Sequence, residues 1–441
     1  MENKISEAEL ESMRQQFEAA PYPKVPLEES PRPYYYVLFQ NSLVTPYYLR
    51  HQKVIDPAGK MILDVGCGSG YTSLVLAEAN PGAQIYGVDL SEKSVELARK
   101  RLEYHGFQEA QFQPLSIYDL PDLNLKFDYI NCSDVLYLIP DQLQGLQAMK
   151  AVLKPDGIIR VNVHSYANRF YMFQMQRMFE FMGLMNGPIG KEEIDIAQSV
   201  MDAVKDNIIL KSMTWRVQDG AEERMRANGL LQGDKGFTIR EVFSLLNASD
   251  LEFISMVEWH KWNLMDLFKE PDNLPPFLAM SLPECSIEDQ LYLFELLEPK
   301  FRLIDFWCGH TGESSTIGPV AEWTDDDWRQ AQIHLHPQFK THKFKEGLTN
   351  CVNFQQMVEL GQYLPGRFEM PIFLESSITS CLLLLWEGGQ SMEALVKYWL
   401  TIRPVDPITL SPIQEEVAFS QLRQFLKNLA DISCILPERV G

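Results

Sequence analysis

The chain has 441 residues, 46% hydrophobic and 22% charged, the composition of a globular protein rather than a disordered or fibrous one. Thirty-nine Lys and Arg against sixty Asp and Glu give a formal charge of −21, a field that repels polyanions and leaves few cations for phosphate contacts. Nucleic acid is therefore not an expected partner, and at roughly 150 residues per domain two or three domains are expected.

Residues 1–17, with four Glu and no apolar stretch, have the pattern of neither a signal peptide nor a transit peptide. The strongest apolar run, Ile378 to Trp386, is less than half of the roughly 20 residues that cross a bilayer, so no membrane partner is expected. The seven cysteines include no C-x-x-C pair, which argues against a disulfide framework and a zinc cluster and for a reduced, cytoplasmic setting.

In chain order, residues 1–58 read as an N-terminal arm, an amphipathic helical pattern followed by proline and tyrosine in Pro21-Tyr22-Pro23 and Pro33-Tyr34-Tyr35-Tyr36. From Met61 short apolar runs alternate with helical periods, the pattern of βαβ units around a parallel sheet. It predicts strands near 61–65, 84–89, 110–115, 128–132 and 157–163, with helices over 70–80, 92–106 and 141–153. The fold class is thus α/β, a doubly wound sheet, with the core over 59–165. Residues 166–236 read as a helical insertion. Residues 237–319 supply a further helix, whose Thr238 and Glu241 have capping-box spacing, and strands at 252–259 and 302–307, with a proline-rich excursion between them. Residues 320–441 read as a helical C-terminal domain ending in three helices.

The run Met61-Ile62-Leu63-Asp64-Val65-Gly66-Cys67-Gly68-Ser69-Gly70 is an apolar strand entering a glycine turn ahead of a helix, where a ligand can approach the backbone at a helix N-terminus. A dinucleotide fingerprint beginning at Gly66 needs glycine at 71, and Tyr71 stands there. Nineteen residues past Gly70, Asp89 ends the second strand before Leu90 and Ser91; an acceptor-only carboxylate at a strand tip can take hydrogen bonds from two ribose hydroxyls.

The D-x-G-x-G-x-G pattern, with Phe127-Asp128-Tyr129-Ile130-Asn131-Cys132 and Leu153-Lys154-Pro155-Asp156-Gly157 following in order, resembles the class I S-adenosylmethionine-dependent methyltransferases over about residues 61–165. The resemblance implies a Rossmann-like core and S-adenosylmethionine as cofactor. It implies that Asp64, Gly66, Gly68 and Gly70 hold the methionine end, that Asp89 and Leu90 lie at the ribose, and that Cys132 sits beside the site. Where many members carry an acid for the adenine amino group, this chain has Ser116 and then Ile117, with Asp119 competing for the role.

Transfer from a sulfonium needs alignment and exclusion of water more than activation. His164, at the carboxyl end of the fifth strand, is the candidate base, with a solvent-facing helix-start histidine as the plain alternative. Asp134 and Tyr137, just after the fourth strand, are candidates for acceptor contact, with helix capping and packing as the alternative. Met172, Met175, Met178, Met182 and Met185 share one helix face, an adaptable acceptor groove or a core stripe. Tyrosines 34, 35, 36, 47 and 48 either close over the cofactor or pack the arm. His334, His336 and His342 lack a carboxylate or cysteine at ligand spacing, and Asp325 to Asp327 read as the charged first turn of a helix. The acceptor implied is a protein side chain, a phycobiliprotein asparagine being one specific form. A small-molecule acceptor and a non-catalytic cofactor-binding module are the alternatives.

Overall fold

The computed structural model describes residues 21–187, 189–215, 221–313, 318–364 and 371–439, with residues 10, 11, 14 and 18 ahead of them. Its contacts divide the chain into two compact units, residues 1–28, 61–73 and 85–311 in the first and 29–60, 74–84 and 312–441 in the second.

The first unit is built on strands β1 (Met61–Val65), β2 (Gln84–Asp89), β3 (Gln111–Pro114), β4 (Phe127–Cys132), β5 (Leu153–Ser165), β6 (Gly236–Phe237), β7 (Leu251–Met256) and β8 (Leu303–His310). Helices α1 (Tyr71–Ala79, counted with the second unit from Leu74 on), α2 (Glu92–Tyr104) and α3 (Gln142–Val152) alternate in the chain with the early strands, as the sequence periods predict. The sheet runs β3-β2-β1-β4-β5-β8-β7, with β6 pairing β5 from off that path. β1 with β4 and β4 with β5 are parallel, whereas β8 runs antiparallel to both β5 and β7.

Every residue of β4 is buried, as expected of a central parallel strand covered on both faces. An ion pair of buried Arg160 with half-buried Asp305, at 2.7 Å, ties β5 to β8. Strand order reverses between β1 and β4, and the carboxyl ends beside such a reversal are where open α/β sheets take ligands.

After β5 the chain leaves the sheet through α4 (Tyr166–Phe181), capped by the Ser165 side chain, then α5 (Lys191–Ala203) and α6 (Ile209–Thr214). Met175 is buried in this insertion's own core with Phe179, Ile194, Ala197, Met201 and Met225, and Met172, Met178 and Met185 pack against that core. Four of the five methionines therefore serve packing, and Met182 is exposed. The insertion returns at the carboxyl edge: Lys235 Nζ donates to the carbonyls of Ile139 and Pro140, and β6 pairs with His164 and Ser165. Helix α7 (Ile239–Ala248) follows with the predicted capping box of Thr238 and Glu241. Helix α8 (Ile287–Leu297) packs against α7.

The second unit holds helices Tyr35–Gln40 and Val44–His51, then α9 (His342–Phe354), α10 (Ser376–Leu384), α11 (Met392–Ile402) and α12 (Glu415–Asp431). It also contains a three-stranded antiparallel sheet that no local period announces: β9 (Ala331–Leu335) lies between β10 (Gln390–Ser391) and β11 (Ile435–Arg439). Tyr47 and Tyr48 are buried within this unit, Tyr48 donating to the Pro437 carbonyl at 2.7 Å. Thr324 caps the helix that Asp325 opens, and Asp327 completes a capping box with it. His336 is buried, with Nε2 3.0 Å from Thr45 Oγ1. No helix among the described residues is long and apolar enough to cross a membrane.

Candidate functional site

The glycine turn sits at the carboxyl end of β1. Gly66, Gly68 and Gly70 all have positive φ, at 70°, 50° and 80°, a region that side chains with a Cβ rarely adopt. Space is as restrictive as conformation: a Cβ on Gly66 would lie 2.3 Å from Val135 Cγ2, and one on Gly70 2.5 Å from Ala98 Cα. The turn is thus packed between the loop after β4 and helix α2.

Asp64 does not face the open turn. It is buried, and its carboxylate accepts from Ser73 Oγ at 2.6 Å and Asn131 Nδ2 at 2.8 Å. Burial pushes its pKa up to about 6 against the lowering effect of these two donors. Asp64 therefore clamps β1 to the first turn of α1 and to β4. Folded, its carboxyl holds the proton more tightly than unfolded, so stability falls as pH rises from about 4 to about 6 and is flat above, by about 3 kcal/mol at most. Thermal unfolding of the wild type and Asp64→Asn across pH 4–8 tests this: the gap between them should change below pH 6 and stay constant above it.

Asp89 ends β2 with Oδ2 2.9 Å from Gly68 N and Oδ1 2.9 Å from Ser91 N, both amides donating. Burial raises its pKa, and the two amides act the other way. Each oxygen keeps acceptor capacity beyond these bonds, enough for a pair of hydroxyls. Glu18, which also raises Asp89 electrostatically, carries a buried Oε2 that has no hydrogen-bond partner among the described residues. A positive-φ glycine cradle, a carboxylate with spare acceptors and an orphaned oxygen near it fit a ligand rich in hydroxyl and amino groups.

The segment before the first helix of the second unit completes the turn's surroundings. Ser69 donates from N to the Tyr22 carbonyl at 2.9 Å and from Oγ to the Pro23 carbonyl at 2.8 Å. Arg101, on α2, donates to the carbonyls of Ser69, Val25 and Pro26. Tyr22 to Pro26 is what the chain lays against its glycine turn and the helix beside it. The sequence signal for this was only the Pro-Tyr-Pro run.

The remaining cofactor candidates spread over the neighbouring strand ends. Leu90 is half-buried beside Asp89, and Ser116 caps the turn Ile117–Leu123, its Oγ accepting from Tyr118 N at 3.3 Å. Ile117 is buried in the core, and Cys132 is fully buried, its thiol pKa pushed up by burial.

On the acceptor side, Asp134 takes a positive φ of 57°, its N donating to Asn162 Oδ1 at 2.7 Å. Its Oδ1 accepts from the Tyr137 hydroxyl at 3.1 Å. Burial and then the Asp134 charge raise the Tyr137 pKa, so the phenol stays protonated. The Tyr137 ring stacks on that of His164 at 3.8 Å. His164 is buried rather than solvent-facing, and neither nitrogen is free: Nδ1 donates to Asp234 Oδ1 at 2.6 Å and Nε2 accepts from Arg302 at 3.0 Å. Burial lowers its pKa against the pull of Asp234. A ring so held cannot take a proton from an acceptor, which counts against the base expected there from sequence. Asp234, Arg169 and Arg302 are the site-adjacent residues that sequence reading missed.

Over residues 56–209 the sequence matches a methyltransferase domain family. The chain is 26% identical over 318 residues, 70% of its length and 73% of the relative's, to the uncharacterized protein syc1184_c of Synechococcus sp.. It is 36% identical over 126 residues to the ubiquinone biosynthesis O-methyltransferase of Actinobacillus pleuropneumoniae, a match to 27% of this chain that spans about half, 53%, of that enzyme. Among solved structures, PKMT2 from Rickettsia typhi in complex with AdoHcy has a similar fold over 96% of this chain and 78% of its own, with a TM-score of 0.59 and 18% identity. Glycine turn, Asp89, sheet order and matched family agree: over residues 56–209 the chain carries an S-adenosylmethionine-dependent methyltransferase domain.

Proposed function

We infer that the methyl group is passed to a side chain of another protein. The observation that carries this reading is the insertion at the carboxyl edge. It leaves the sheet at the end of β5, returns beside Tyr137, and exposes Phe181, Met182, Ile209 and Met213. A metabolite pocket does not need such a surface; a docked polypeptide does. The ubiquinone enzyme, by contrast, resembles only 27% of this chain, whereas the likeness in fold to PKMT2 extends over 96% of it. A phycobiliprotein asparagine is one form of the reading.

When bound, S-adenosylmethionine supplies a methyl group already activated by the sulfonium charge. The chain's part is alignment. The glycine turn and Asp89 fix the cofactor, with Asp64 clamping the strand beneath. Asp134, whose Oδ1 takes the Tyr137 hydroxyl, turns its carboxylate to the acceptor and orients its N–H or O–H. The glycine turn, Asp89 and Asp134 would thereby set the acceptor atom in line with the methyl carbon and the sulfur, which would keep the electron pair of the broken carbon–sulfur bond. The acceptor's proton passes to Asp134 or to water.

The test is transfer of labelled methyl from the cofactor into extract of a strain lacking this protein, followed by separation of macromolecules from small molecules. Label in a protease-sensitive band, with the modified residue mapped by mass, is the expected result. Label confined to small molecules would replace the protein reading by a small-molecule one, and no label in either fraction would favour a binding module.

A further inference from the structure

Behind Tyr137 lies a set of polar contacts that alignment of the cofactor does not use. Asp234 and His164 are buried, and the Nδ1–H bond between them leaves the imidazole Nε2 lone pair as an acceptor aimed at Arg302 Nη1, 3.0 Å away. Asp234 is itself fixed by Arg169 Nη2 at 2.9 Å and Gln176 Nε2 at 2.8 Å. Buried groups thus steer a guanidinium on a residue that is exposed. Among the described residues no carboxylate lies within ion-pair distance of Arg302, in a chain where sixty acids face thirty-nine Lys and Arg.

Its place matters as much as its charge. Arg302 directly precedes β8, whose Leu303 pairs with His164 at the carboxyl end of β5, and its carbonyl accepts from Ser165 N at 2.9 Å. It therefore stands at the sheet edge that carries Asp134 and Tyr137, with β5 between β8 and β4. A planar fork of donors, one spent on His164 and the rest open, matches a carboxylate.

We propose that Arg302 is a specificity-determining residue that receives a carboxylate of the methyl acceptor. In the protein reading, on which this rests, that carboxylate is an Asp or Glu near the modified residue. Adjacent strands lie about 4.8 Å apart, so β4 and β8 are separated by about 10 Å, and an extended peptide advances about 3.3 Å per residue. The acid accordingly falls within about three residues of the methylated side chain. The net charge of −21 repels acidic polypeptides at long range, and Arg302 offsets this at one point and so selects where the acid docks.

The test uses the full chain and peptides spanning the methylated residue mapped in extract, with the nearest acid kept or changed to its amide. The wild type should prefer the acid peptide by about fivefold or more in kcat/KM, mainly through KM. Arg302→Gln should abolish that preference and Arg302→Lys restore part of it, while calorimetry shows cofactor affinity unchanged. A purely structural role would lower both peptides alike. Mapped sites without an acid within three residues, or a preference that survives in Arg302→Gln, overturn the proposal. If label enters only small molecules, the protein reading fails first. Arg302 then stands if the labelled compound carries a carboxylate and its KM rises in Arg302→Gln, and falls otherwise.

Discussion

Gly70→Ala is expected to destabilise the first unit by about 3 kcal/mol and to remove measurable cofactor binding. The φ of +80° costs an alanine about 1–2 kcal/mol. The new methyl would lie 2.5 Å from Ala98 Cα and 2.7 Å from Ala98 Cβ, so helix α2 has to shift, at about 1–3 kcal/mol for overpacking. That helix also carries Arg101, which holds Ser69 and the Val25-Pro26 carbonyls, so the shift spreads through the turn that Asp89 binds. Urea unfolding and calorimetry check the two halves of the expectation, and a variant with wild-type values in both would show that the turn is not tightly held.

Asp234→Ala should cost about 3–5 kcal/mol, the range for removing one partner of a buried ion pair. It leaves the buried Arg169 guanidinium without its carboxylate and takes the hydrogen-bond partner from His164 Nδ1. Burial pushes the Asp234 carboxyl up, but the Nδ1–H hydrogen bond of His164, with the charge of Arg169 and the Gln176 amide, brings it below its ordinary value, so it is ionised at neutral pH. Because the loss comes mostly from a stranded cation, adding Arg169→Met to Asp234→Ala should recover part of it. Unfolding curves of the single and double variants measure this; a double variant no more stable than the single one would contradict the assignment of cost.

What the sequence made legible follows from range. β1 and β2 occupy the residues that the short apolar runs predict, 61–65 and 84–89, because apolar runs and helical periods are written in neighbouring residues. The Thr238 and Glu241 capping box is equally local. The sheet of the second unit was not legible: Ala331 pairs with Arg439 across most of that unit, β10 is two residues long, and Pro437 lies within β11. The surroundings of His164 were not legible for the same reason. A histidine before a helix gives no sign that Asp234, seventy residues later, will enclose it. The methionine face was legible as a face, but its occupant, the helix Lys191–Ala203, comes from the same insertion, and only packing distinguishes a core stripe from a groove.

The central claim is that the β1 turn and Asp89 hold S-adenosylmethionine, and calorimetric titration of the wild type and Asp89→Ala with that compound and its demethylated product tests it most directly. The wild type should bind both with micromolar dissociation constants. Asp89→Ala should weaken both by roughly 1.5–3 kcal/mol, about ten- to a hundredfold, the range for hydrogen bonds to a charged group. Equal affinity in the two proteins, or binding of NADH by the wild type as tight as that of the sulfonium compound, would contradict it.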